Sequence, residues 1–113
     1  MSSKRAPLPG TKVRGSTTGR PIMAALDLFG RRWALRVLWE LRLKPLTFRD
    51  LQEACGDISP AVLNTRLGEL RAAGIVTQGA GGYALSDDGK SLIDAIVPLH
   101  QWAERWAGAR ARR

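Results

Sequence analysis

DISPAVLNTRLGELRAAGIV, residues 57–76, decides how this chain is read. Ser59 is a good N-cap, because its hydroxyl can accept from an amide of the first turn. Pro60 then sits at the first helical position, where a missing N–H is harmless. Ile58 before the cap and Leu63 at the fourth helical position form a hydrophobic staple. Gly74 supplies a left-handed stop, so the spacing predicts a helix over 60–73. On a wheel of about 100° per residue, Leu67 and Leu70 fall within about 40° of Leu63 and complete a core stripe. The other side presents Ala61, Asn64, Thr65, Gly68 and Ala72, with Arg66 and Arg71 on its flanks. A surface helix usually carries charge there. This one is bare.

Reading outward, Pro45 stops an upstream helix and Thr47 caps the next, with Asp50 in its first turn near the positive helix end. That helix runs to about 54, with Phe48 and Leu51 inward, and CGDI (55–58) is a tight turn into the capped helix. Downstream, IVTQ and GYAL flank GAG, which predicts a β-hairpin with a glycine-rich tip. A capped helix, a four-residue turn, a second capped helix and a hairpin make a helix-turn-helix with a wing.

The outer segments fit that core. Pro21 opens a helix over 22–29 that Gly30 ends, and a second helix is expected over 31–43. Its apolar residues (Trp33, Leu35, Val37, Leu38, Trp39, Leu41) leave a narrow polar stripe at Arg32, Arg36 and Glu40, so it should be buried on most sides. Arg36 and Glu40 have the i,i+4 spacing of an ion pair. Ser86 caps a last helix to about 107, in which Pro98 should make a kink. Its stripe of Leu92, Ile96, Leu99, Ala103 and Trp106, widened by Ile93, Val97 and Trp102, exceeds one contact surface. The fold class expected is mainly α with a small β-hairpin: a winged helix-turn-helix (α+β) that dimerises through its terminal helices. Residues 1–20 read as a flexible basic arm, 21–107 as the winged domain with its dimerisation helices, and 108–113 as a basic tail.

The formal net charge of +8 is carried by the ends. Lys4, Arg5, Lys12, Arg14 and Arg20 lie in the arm with no acid, and Arg110, Arg112 and Arg113 close the chain. Residues 21–109 hold ten basic and ten acidic residues. That middle is polarised, with six cations from Arg31 to Arg49 against Glu40, and four acids from Asp87 to Glu104 against Lys90. One half can face phosphate while the other faces away.

A small-residue face lets a helix sink into the DNA major groove, where Asn64 can read an adenine edge and Thr65 a thymine methyl. Arg66 and Arg71 can hold phosphate or reach guanine. Ser59, Ala61, Gly68, Thr47 and Arg49 complete the candidate contact set. A mid-helix glycine costs about 1 kcal/mol relative to alanine, so close approach of a partner explains Gly68. The alternative is that this face packs on protein, and that the chain is a winged-helix interaction module without specific DNA binding.

ALDLFGRRWALRVLWEL, LTFRDLQEACGDISPAVLNTRLGELRAAGIV, YALSDDGKSL and LHQWA, in that order, closely resemble the HxlR-type transcriptional regulators, relatives of the MarR group, over about residues 21–106. The resemblance implies a winged-helix homodimer on a pseudo-palindromic operator, with the recognition helix at 59–73 and the wing at 77–83. The first and last helices, through Ile22, Leu26, Leu92, Ile96, Leu99, Trp102, Ala103 and Trp106, would form the two-fold interface. Three features depart from the family pattern. Arg20 replaces a cysteine that some members use to sense oxidants. The wing, TQGAGGY, has no basic residue, so the arm is the candidate for phosphate or minor-groove contact. Arg32 stands where the family has lysine before Trp33.

Nothing points to catalysis. Cys55 reads as a small buried hydrophobe, and His100, the only histidine, cannot build a multi-histidine metal site. Asp87 and Asp88 suit a helix N-terminus, and GAGG lacks the lysine of a phosphate loop. The tryptophans are expected in the core or the dimer face, with Trp33 or Trp39 able to line a ligand cavity. The expected partners are double-stranded DNA and a second copy of the chain, and a small-molecule effector is compatible with both. No cofactor is expected. One cysteine allows no internal disulfide, no apolar run approaches roughly 18 residues, and the N-terminus lacks a signal-peptide core. Cytoplasm is the expected compartment, with the protein at the nucleoid when bound to DNA.

Overall fold

Five helices and one hairpin follow each other in the computed structural model, which describes residue 9 and residues 20–112. Lys4, Arg5, Lys12 and Arg14 of the arm, and Arg113, lie outside the described residues. The elements are α1 (Pro21–Phe29), α2 (Ala34–Glu40), α3 (Phe48–Cys55), α4 (Pro60–Ala72), β1 (Val76–Gly79), β2 (Gly82–Leu85) and α5 (Asp87–Ala111).

Local chemistry sets most boundaries. Thr47 accepts from the Asp50 amide at 3.1 Å, Ser59 from Val62 at 3.2 Å and Ser86 from Gly89 at 3.1 Å. Each such cap contributes about 1 kcal/mol. After α4, Gly74 takes φ 77°. The Ile75 amide reaches back to the Leu70 carbonyl at 2.9 Å and the Gly74 amide to Arg71 at 3.0 Å, the pairing that satisfies the last carbonyls of a glycine-stopped helix. The strands pair antiparallel with Val76 opposite Leu85 and Gly79 opposite Gly82, joined by Ala80 and Gly81.

The core is one cluster in which Val37, Leu38, Leu51, Leu63, Leu67 and Leu70 are almost wholly buried. Each buried leucine contributes about 1.5–3 kcal/mol relative to exposure. The staple residues Ile58 and Leu63 both belong to it. The cluster draws on α1, α2, α3, α4 and both strands, so α4 is held along its leucine stripe while its opposite side faces outward.

The structure corrects three expectations. The second helix starts at Ala34 rather than Arg31 and ends at Glu40 rather than Leu43. Trp33 precedes it at φ 75°, a left-handed conformation that costs a non-glycine residue roughly 1–2 kcal/mol. It is tolerated because the ring packs against the core and Arg32 lies over it at 5.8 Å. At the other end, Pro45 biases Lys44 towards extended backbone, so the chain leaves the helix early and Leu43 is 81 % exposed. Within it Ala34, Val37 and Leu38 are buried and Trp39 and Glu40 half-buried, while Leu35 faces outward beside the expected polar residue Arg36. Finally, α5 contains Pro98, as expected, but continues over 108–111, where a tail was expected. The alanines and arginine there are good helix formers, and Arg110 suits the negative end of the helix dipole. At about 1.5 Å per residue its 25 residues span roughly 37 Å.

Candidate nucleic-acid interface

The outward side of α4 carries the face picked out by sequence. Ala61, Asn64, Thr65, Gly68, Arg71 and Ala72 are all exposed. A Cβ placed on Gly68 would meet nothing within 4 Å, so the glycine is not explained by packing within this chain. The Thr65 hydroxyl donates to the Ala61 carbonyl at 3.0 Å, which leaves its methyl group pointing away from that bond for apolar contact. The Asn64 amide is open on the same surface.

Ser59 caps α4 itself and Thr47 caps α3. Thr47 and Ser59 are exposed, and each accepts a helix amide while its own proton remains available to donate. Arg49, in the first turn of α3, has an 88 % exposed side chain and only a loose 3.6 Å contact with Glu53. Exposed cations beside helix N-termini suit phosphate.

Arg66 behaves differently from the other flank residues. Its side chain is 19 % exposed, pairing with Glu69 at 2.8 Å and donating through Nε to the Arg32 carbonyl at 2.7 Å. The guanidinium that sequence placed towards DNA is occupied within the fold. Arg31 grips the same Glu69 and also pairs with Asp27 at 3.2 Å. Sequence reading missed the Arg31–Glu69 pair, whose partners lie 38 residues apart; the local spacings of Asp27 with Arg31 (i,i+4) and Arg66 with Glu69 (i,i+3) were the signals that could have pointed to it.

The hairpin tip is uncharged, with Gln78, Gly79, Ala80 and Gly81 exposed. Arg20 is exposed at the N-cap of α1, where its carbonyl accepts from Met23 at 3.0 Å.

Most of the exposed large apolar side chains among the described residues lie on the terminal helices. Ile22 and Leu26 on α1 are each 59 % exposed, and Leu99, Trp102 and Trp106 on α5 are about half exposed. Trp102 and Trp106 stack with centroids 5.4 Å apart. Leu92 instead packs on the chain's own core, and Ile96 and Ala103 are half-buried. His100 is taken up by Trp39, with ring centroids 5.2 Å apart, and Arg42 sits 4.0 Å over the same indole. Two shallow recesses, of about 190 and 130 Å³, are lined by neither Trp33 nor Trp39.

Cys55 is buried at the end of α3. Burial pushes its thiol above the usual range; the Arg36 charge opposes this and Glu40 adds to it. Cys55 has no cationic neighbour along the chain, yet the fold brings Arg36 to the end of α3, where it donates to the Ala54 carbonyl at 2.9 Å. Among the described residues no three His, Cys, Asp or Glu side chains gather to hold a metal, and no helix is long and apolar enough to cross a membrane.

Two capped helices in helix-turn-helix order, followed by a β-hairpin, define a winged helix-turn-helix domain. Comparison with known proteins gives the family directly. Residues 28–111 match the HxlR-like helix-turn-helix model, and the chain belongs to that family. It is 29 % identical over 89 residues to the HTH-type transcriptional regulator YvaP of Bacillus subtilis, spanning 73 % of this chain and 82 % of YvaP. Its structure is similar to that of quinone-bound YodB from B. subtilis, with TM-score 0.70, 28 % identity and coverage of 74 % of this chain and 96 % of YodB. It also resembles a protein from Enterococcus faecalis V583 assigned to the MarR family, with TM-score 0.72, 27 % identity and coverage of 89 % and 98 %. The chain is therefore a helix-turn-helix transcriptional regulator of the DNA-binding kind, in a family of regulators rather than enzymes.

Proposed function

We propose that this protein is a homodimeric, sequence-specific regulator that inserts α4 into the major groove of a pseudo-palindromic operator. The observation that carries the reading is the open face of α4, with Asn64 and Thr65 exposed and empty space over Gly68. Asn64 reads an adenine edge and the Thr65 methyl meets thymine. Gly68, Ala61 and Ala72 let the helix axis approach the bases. Arg49, Arg71 and the hydroxyls of Thr47 and Ser59 hold flanking phosphates. Arg66 acts indirectly, by bracing α4.

Two copies pair through the apolar faces of α1 and α5, with Ile22, Leu26, Leu99, Trp102 and Trp106 at the centre and Ile96 and Ala103 beside them. The two-fold axis sets the reader helices about 34 Å apart, one turn of DNA. Because the wing is uncharged, the arm carrying Lys4, Arg5, Lys12, Arg14 and Arg20 supplies the non-specific attraction. Removing residues 1–20 lowers affinity for every sequence and flattens the salt dependence, by a slope of about 0.9 for each phosphate that the arm neutralises.

The experiment is selection of fragmented source DNA on the purified protein at about 150 mM salt. Recovery of a few sites sharing an inverted repeat is expected, and Asn64→Ala with Thr65→Ala should keep the fold but erase preference for those sites. Folded protein that retards no fragment even at low salt would overturn the reading, in favour of the protein-interaction module that the uncharged wing also fits.

A further inference from the structure

The buried carboxylate of Glu69 occupies a point where three parts of the chain meet. It is only 7 % exposed, and it is the sole charged or polar residue so buried among those described. One of its oxygens takes Arg31 from the turn between α1 and α2; the other takes Arg66 from its own helix at 2.8 Å. Both arginines have a second hold. Arg31 reaches back to Asp27 on α1 at 3.2 Å, one residue from the exposed Leu26. Arg66 donates to the Arg32 carbonyl at 2.7 Å, so the same turn is gripped by side chain and by backbone. The next residue is Trp33, held at φ 75°.

A buried ion pair contributes little net stability, because desolvation offsets its attraction, yet it can select one arrangement over near alternatives. The hydrophobic stripe of α4 fixes its depth in the domain, but apolar contacts alone tolerate small rotation and sliding. Three fixed hydrogen-bonding directions, from Arg31, Arg66 and the Arg32 carbonyl, do not. The strained Trp33 is consistent with a turn held in place by these contacts rather than by its own backbone preference.

We infer that Glu69 is a positioning residue, clasped by Arg31 and Arg66, that locks the rotation of the reader helix α4 against α1. This rests on the proposed DNA reading, in which α1 belongs to the dimer face. The clasp then sets how far apart, and at what relative angle, the two reader faces stand in the dimer. Its consequence is selectivity for half-site spacing rather than for any one base.

The test measures binding to the selected operator and to versions with one base pair inserted or deleted between the half-sites, a change of about 3.4 Å along the DNA. Wild-type protein should prefer its own spacing by about tenfold or more, from the usual cost of one misplaced contact set. Glu69→Gln keeps the shape but loses the charge, and should cut that preference to about twofold with non-specific affinity and salt slope unchanged. Arg31→Lys keeps the charge and should retain most of the preference. If Glu69→Gln does not fold by circular dichroism, Arg31→Met, which spares the Glu69–Arg66 pair, is read in the same way. Folded Glu69→Gln with full spacing preference overturns the inference alone, as does an equal loss on operator and random DNA. Wild-type protein with no operator preference overturns the DNA reading, and this inference with it.

Discussion

Leu46 and Tyr83 exchange both backbone hydrogen bonds, Leu46 donating at 2.9 Å and Tyr83 at 2.8 Å. This isolated antiparallel bridge gives the hairpin a third, one-residue strand from the connection between α2 and α3. It ties the wing to the chain just ahead of the helix-turn-helix. Gly82 makes it possible, at φ +106°. A Cβ there would collide with the Leu46 carbonyl oxygen and lie 2.6 Å from its carbon and 2.8 Å from the Thr47 nitrogen.

Gly82→Ala should therefore destabilise the domain by roughly 2–3 kcal/mol, through left-handed strain and the backbone clash together. Gly81→Ala, whose Cβ would meet only Pro45 at 3.8 Å, should change stability by less than about 0.5 kcal/mol. Urea unfolding of the two variants checks the pair, and equal effects would mean that the bridge is not needed.

Gly68→Ala should act in opposite directions on stability and function. The new methyl has open space, and alanine is favoured over glycine within a helix by about 1 kcal/mol. Melting temperature should rise by about 4–8 °C for a domain of this size. Operator affinity should fall, because the methyl occupies the space in which the groove floor would lie. A variant that is more stable and binds DNA as well as before would remove Gly68 from the interface.

Trp102→Glu should weaken the dimer. Aromatic residues central to an interface each contribute at least about 2 kcal/mol, so the dissociation constant should rise about 30-fold or more. Leu43→Glu changes a leucine that is more exposed still, at 81 %, but in the connection between α2 and α3 rather than on α1 or α5, and should leave the dimer intact. Sedimentation over a concentration series separates the two.

Cys55 should be inert in the folded protein. Its burial disfavours the thiolate, and the partial relief from Arg36 is opposed by Glu40. Alkylation near pH 8 should be at least about tenfold slower in native than in urea-unfolded protein, because only the thiolate reacts. The sign of the linkage is fixed by the raised folded-state pKa. Below the ordinary thiol range of about 8.5 the proton is held in both states and stability is unaffected. Above it, the unfolded chain releases the proton first, so stability falls as pH rises through the folded value. Cys55→Ala should remove that slope, and a slope of the same size in this variant would assign it to other groups.

The order of elements was determined by sequence, because each signal is local. Thr47, Ser59 and Ser86 each accept from an amide three residues downstream, Gly74 ends a helix, and the leucine period of α4 names its core face; none of these needs a distant partner. The bare face of Asn64, Thr65 and Gly68 was legible for the same reason, being what remains when the core stripe is removed. Tertiary structure alone decided the rest. Trp33 is left-handed because core packing outweighs its backbone preference, and no propensity registers that. Leu46 joins the wing because Gly82 leaves room for it 36 positions later in the chain. Arg66 looked like a free cation on the flank of a reader helix; Glu69 stands one turn along the same helix, but only the approach of the Arg32 carbonyl and of Arg31 to Glu69 fixed it inward. Charge type can be read from a chain, but the partner of a long, flexible side chain is set by which elements the core brings within its reach.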